Sequence, residues 1–105
     1  MTMQDREKDF EARFAHDEAL RFRVEARRNK LLGLWAAGEL GKSGEDAITY
    51  SQEVVKADFA KPGDDHVFAK LREDFDSAGV EKFDHQIRRT MAEFMIEAEK
   101  QVLAD

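Results

Sequence analysis

Three histidines, one Gly-Lys-Ser triplet, many carboxylates and an arginine pair are the residues of this chain that could do chemistry. His16, His66 and His85 never pair at i, i+3 or i+4, and no His-Glu-x-x-His run occurs. His16-Asp17 and Asp84-His85 each offer two metal ligands, but a zinc-type site needs three or four converging groups. The histidines therefore read as structural or solvated, and no metal or cofactor is expected. Gly41-Lys42-Ser43 resembles the end of a phosphate-binding loop. That loop needs Gly five residues earlier, where this chain has Ala36, and a strand ahead of it. A helix-breaking turn with a Ser cap fits better. Weak nucleotide or anion contact at Gly41, Lys42 and Ser43 stays open, because free amides point outward at a helix start.

The carboxylates and Arg88-Arg89 fall on polar helix faces. Acid–base catalysis needs a pocket that shifts pKa values, and a narrow core of Phe, Met, Ile and Val leaves little room for one. No enzymatic role is expected. Phe10 and Phe14 carry the opposite weight. They sit in a highly charged stretch with Met3, on a stripe at i, i+7, i+11. Arg6, Lys8, Arg13, Glu7, Glu11 and Asp17 surround them like an interface rim. The candidate partner-binding residues are thus Met3, Arg6, Phe10, Arg13, Phe14 and Asp17. Burying two Phe side chains gains roughly 3–6 kcal/mol. Ordering a segment on binding costs about 2–5 kcal/mol, so tight docking needs Arg pairing as well.

Bulk composition bounds the architecture that must position these groups. The 105 residues suit one compact domain with a short tail. No cysteine occurs, which excludes disulfides and thiolate sites and fits a reducing cytoplasm. The opening MTMQDREKDFEARF is too charged for a secretory signal. The longest apolar run, LLGLWAA at 31–37, is too short to span a membrane, so no direct membrane insertion is expected. A net charge of −6 argues against nucleic-acid binding. Residues 1–40 balance eight basic against eight acidic groups, while 41–105 carry nine against fifteen. That asymmetry separates a mixed-charge leading part from an acidic body.

Glycine and proline mark the breaks. Gly38, Gly41 and Gly44 surround one, Pro62-Gly63 a second and Gly79 a third. Gly33 lies inside a helical pattern, where it points to close helix packing. Between the breaks the apolar spacing is helical, and no run alternates with period two. Leu20, Val24, Leu31, Leu32, Leu34 and Trp35 form the first core helix. Ile48, Val55 and Phe59, with Tyr50 and Val54 alongside, form the second. Val67, Phe68, Leu71 and Phe75 form the third. Ile87, Met91, Met95, Ala98 and Val102, flanked by Phe94 and Leu103, form the fourth. Ser43, Asp64 or Asp65, and Asp84 suit the N-caps, and Gly79 a left-handed C-terminal position. The expectation is an all-α four-helix bundle over 20–105, with helices near 20–39, 43–60, 65–78 and 84–104. Residues 1–19 remain as a mobile, amphipathic helical arm, too thinly apolar to hold a helix alone.

The block FEARFAHDEALRFRVEARRNKLLGLWAA at 10–37 resembles the zeta-type ATPase inhibitor subunit of alphaproteobacterial ATP synthases. The likeness continues through EVVKADF at 53–59 and HQIRRTMAEFMIEAEKQ at 85–101. It implies a four-helix bundle whose N-terminal segment wedges into a catalytic interface of the synthase head and blocks rotation in the hydrolytic direction. The inhibitory stretch would map to about Met3–Asp17. The resemblance further implies a cytoplasmic protein peripherally associated with the membrane-bound synthase, and the free protein is expected to be a monomer. A helical adaptor with another partner, or a weak nucleotide sensor, are the alternatives that the residues alone leave open.

Overall fold

The computed structural model describes residues 17–105. Four α-helices fill this span: α1 (Glu18–Glu39), α2 (Gly44–Ala60), α3 (Asp64–Ser77) and α4 (Asp84–Ala104). There is no strand among the described residues. Helix α1 packs on α2 and α4, and α3 closes the ring by packing on the same two. The result is the expected all-α four-helix bundle.

Two of the turns have the same chemistry. The Lys42 N–H bonds the Ala37 carbonyl while the Gly41 N–H bonds that of Gly38. The Val80 N–H likewise bonds Phe75 and the Gly79 N–H bonds Asp76. Both are Schellman closures, which need a residue at positive φ. Gly41 (φ 79) and Gly79 (φ 71) supply it. The helix starts differ from expectation. Ser43 occupies the cap position of α2 without a side-chain cap bond. Gly63, not Asp64 or Asp65, caps α3, and Phe83, not Asp84, caps α4. The carboxylates serve elsewhere: Asp64 pairs with Arg28 at 2.7 Å, Asp65 with Arg88 at 2.8 Å and Asp84 with Arg72 at 3.0 Å. At Phe83 the Gln86 side chain accepts the orphan backbone N–H at 2.8 Å, half of a capping box.

The main core joins Leu32, Ala36 and Ala37 to Tyr50, Val54, Val67, Leu71, Phe75, Ile87 and Met91. A smaller cluster of Val24, Ala98 and Val102 packs the first half of α1 on the last turns of α4. Trp35 meets Phe75 edge to face at 5.8 Å, and Lys82 lies over the Trp35 ring while pairing with Glu39. These contacts tie the α3–α4 loop to the end of α1.

Gly33 sets the closest approach in the bundle. A Cβ built there would stand 2.6 Å from the Ser51 Cα and 3.0 Å from its Cβ. Helix α1 therefore lies directly on the α2 backbone along the line of Gly33 and Ser51. This line corrects the expected facing of α2. Tyr50, Ser51 and Val54 are the buried residues, whereas Ile48 and Phe59 are exposed and Val55 is half-buried. On a helical wheel Tyr50 and Val54 fall on one side of Ser51, and Ile48, Val55 and Phe59 on the other. Only the first side reaches the core.

Replacing Gly33 by Ala should destabilise the bundle even though Ala is the better helix former. The propensity gain is about 1 kcal/mol. Forcing a methyl against backbone costs roughly 1–3 kcal/mol. A net loss lowers the midpoint of thermal unfolding by several degrees. Gly38→Ala, which meets nothing within 4 Å, should raise it. Equal effects of the two substitutions in a melting experiment would mean that α1 and α2 do not touch there.

Candidate partner-binding surface

Of the residues singled out for binding, Met3, Arg6, Phe10, Arg13 and Phe14 lie outside the described residues, as does His16. Asp17 is described and has a structural task. It is the N-cap of α1, in extended backbone (φ −112, ψ 100), and its Oδ1 accepts the Leu20 N–H at 3.0 Å. A cap of this kind contributes about 1 kcal/mol. Helix α1 thus has a start of its own at Glu18, two residues before the expected 20.

Gly41, Lys42 and Ser43 form the exposed turn between α1 and α2. The Gly41 and Lys42 amides are used by the last carbonyls of α1 and do not point at solvent as a phosphate cradle would. His66 is exposed in the first turn of α3. His85 is exposed and stacks on the Phe83 ring at 5.9 Å. Arg88 lies over the Phe68 ring at 4.1 Å, and Arg89 sits 3.9 Å from Glu93. Among the described residues no group of three or more His, Asp or Glu is placed to hold a metal ion. No helix of the described chain is long and apolar enough to cross a membrane.

The polar residues that do converge were not visible in the sequence. The Arg28 side chain is only 1% exposed. Its Nε donates to Asn29 Oδ1 at 2.7 Å and its Nη2 to Asp64 Oδ1 at 2.7 Å. Asn29 Nδ2 donates to Asp58 Oδ2 at 2.7 Å, and Asp58 Oδ1 accepts the Gly63 N–H at 3.2 Å. One string of bonds therefore ties the middle of α1 to the α2–α3 turn. A buried guanidinium is tolerable only when its buried nitrogens are met, and among the described residues no buried side-chain nitrogen or oxygen lacks a hydrogen-bond partner. A second string joins Tyr50 to Asp74 at 2.8 Å and Asp74 to Lys70 at 3.1 Å. Burial, then the bond to Asp74, pushes the Tyr50 hydroxyl well above its usual range and keeps it a donor.

On the outer side of the Gly33–Ser51 line lies an apolar cleft of about 630 Å³. Its floor is Phe22, Ala26, Ile48, Val55 and Val102, and its basic side chains are Arg23, Arg27, Lys30 and Lys56. It continues into a depression of about 280 Å³ toward Phe59 and Pro62, beside Glu25 and Asp58. Phe22 and Phe59 meet edge to face at 6.0 Å, yet stay 55% and 71% exposed, and Ile48 is 52% exposed. Single exposed apolar residues are ordinary, but several side by side mark an interaction surface. The helical spacing of Ile48, Val55 and Phe59 is the signal in the sequence, and by spacing alone it fits a core stripe equally well.

The model of the family described as ATPase inhibitor subunit zeta matches residues 1–101. The chain belongs to the ATPase inhibitor subunit zeta family. A protein solved by solution NMR is similar to this zeta-family chain at 41% identity and a TM-score of 0.71. The match covers 81% of this chain and 96% of that one. No curated protein matches the chain. Membership in the zeta family gives the chain a regulatory role, that of an ATP synthase inhibitor subunit.

In this zeta-type bundle Glu25 is a carboxylate in an unfavourable place. Burial first, and then the Asp58 charge, raise its pKa above the ordinary value, with Arg21 and Arg28 opposing. A raised carboxylate pKa means that the folded state binds the proton more tightly than the unfolded chain does. Ionised Glu25 thus lowers stability at neutral pH, and the penalty disappears as pH falls below the folded-state pKa. Glu25→Gln should therefore raise the unfolding midpoint at pH 7 and lose that advantage near pH 4. A stabilisation that is the same at both pH values, measured by thermal or urea unfolding, would exclude this origin.

Proposed function

We propose that the protein inhibits ATP hydrolysis by inserting its leading stretch, residues 1–16 ahead of the α1 cap, into a catalytic interface of the synthase's soluble head. The observation that carries this is the extent of the family match. It spans 1–101 and so includes the charged stretch ahead of the bundle as well as the bundle itself. Asp17 supports the division. It caps α1 in extended backbone, so the first helix of the bundle starts at Glu18 with a cap of its own.

In this reading Phe10 and Phe14 are the anchors, Arg13 and Arg6 make charge-assisted bonds, and Met3 extends the apolar stripe. The head works by opening and closing its interfaces in turn. A helix that fits one of those conformations better than the others holds the cycle there, by its differential affinity. Inhibition in the hydrolytic direction follows if the favoured conformation is one that hydrolysis must leave. The bundle keeps the protein on the outside of the head, in the cytoplasm and peripheral to the membrane.

Deleting residues 1–16 leaves the Asp17 cap in place. It should abolish inhibition of ATP hydrolysis by the isolated head while the bundle still unfolds cooperatively. Phe10→Ala combined with Phe14→Ala should weaken inhibition by at least tenfold. A truncated protein that inhibits as well as the full chain, in a steady-state ATPase assay, would remove the leading stretch from the mechanism.

A further inference from the structure

We propose that the α1–α2 cleft is a docking groove for an acidic amphipathic helix of a protein partner. The proposal rests on the function above only in naming the synthase head as the bearer of that helix. The floor runs from Ile48 to Phe59, about 16 Å or three helical turns. That length suits apolar anchors at i, i+4 and i+7 of a helix laid along it.

Charge selects the occupant. The protein carries a net −6, yet the residues lining the larger cleft include four basic side chains and no acidic one. Arg23 and Arg27 are partly neutralised by Asp105, at 3.5 and 3.0 Å. Lys30 and Lys56 are exposed and have no ion-pair partner among the described residues. They flank the cleft from opposite helices, Lys30 from α1 and Lys56 from α2. A helix with Leu or Phe on one face and Glu or Asp beside it satisfies both features. A second copy seated face to face would bring the two lysines against their own counterparts. At the far end Glu25 and Asp58 repel acid, so the occupant's carboxylates belong over the larger cleft with its four basic side chains.

The probe is a synthetic amphipathic peptide of about four helical turns, Leu on one face and Glu on its flanks. It is titrated into the full chain and followed by NMR, with a Lys-flanked version as control. The acidic peptide should move the signals of Phe22, Ile48, Val55 and Lys56, and the basic one should not. Lys30→Glu with Lys56→Glu should weaken binding at least tenfold, and added salt should weaken it further. Absence of mapped shifts, or equal binding of both peptides, overturns the proposal. So does crowding of the groove in the free protein: concentration-dependent broadening at these residues would show a second copy there. Changes at the same residues on Phe10→Ala with Phe14→Ala would show the chain's own leading stretch. The double lysine variant is also tested on the isolated head. An inhibition constant raised tenfold, with full inhibition at saturation, supports the head as bearer, and an unchanged constant overturns that part. A head that the unaltered chain does not inhibit removes the function proposed above and, with it, the head as bearer. The docking chemistry is then judged on the peptide result alone.

Discussion

The contact of α1 with α2 at Gly33 and Ser51 organises the rest of the bundle. Two helix backbones this close act as a ridge that divides the apolar surface of each helix in two. On one side Leu32 and Ala36 of α1 meet Tyr50 and Val54 of α2, and the core grows from there through α3 and α4. On the other side Phe22 and Ala26 face Val55 and Ile48 across a cleft that stays open, with Val102 of the smaller cluster at its edge. The apolar cleft is therefore a consequence of the same close approach that makes the interior dense. Widening the approach would let α2 roll and draw Ile48 toward the core, at the expense of Tyr50 and its bond to Asp74.

The buried polar string fixes the register of that contact. Arg28 and Asn29 lie one turn before Gly33 on α1, and they reach Asp64, Asp58 and so the Gly63 turn. A sliding of α1 along α2 by one turn would strand a guanidinium inside the bundle. Leaving such a group unpaired costs several kcal/mol, a large part of what a domain of this size has. The apolar contacts alone are less discriminating, since alanines and leucines tolerate neighbouring registers. Asp64 is 61% exposed, so the charge that holds Arg28 is itself held by water.

Much of this architecture was legible in the residues. The Gly41 and Gly79 breaks, the apolar stripes of α3 and α4, and the close packing at Gly33 follow from spacing and from the properties of glycine. The facing of α2 was not legible. Ile48, Val55 and Phe59 satisfy helical periodicity as well as Tyr50 and Val54 do, and only the position of α1 decides between the two arcs. The burial of Arg28 was not legible either, because it depends on Asp64, 36 residues further along the chain. Asp64 and Asp84 were read as caps for the same reason: local chemistry suits them to that task, and distant arginines give them another. Of the candidate binding residues, only Asp17 and the Gly41–Ser43 turn fall within the described chain, and spacing could not show that Asp17 caps the start of α1.

If the cleft docks a partner helix as proposed, the bundle changes what the leading stretch has to supply. Phe10 and Phe14 offer roughly 3–6 kcal/mol of apolar burial, and ordering the stretch costs about 2–5 kcal/mol. Taken alone, the balance supports only weak binding. Once the cleft holds a helix of the same partner, insertion becomes intramolecular, and the effective concentration of the stretch is of order mM for a short tether. Occupancy that a free peptide would reach only at mM concentration is then reached by a tethered one. The poverty of the stretch in apolar residues becomes an advantage in that setting. Under the proposed mechanism it would leave insertion readily reversible while the bundle stays engaged, so that inhibition could be lifted without the protein leaving the enzyme.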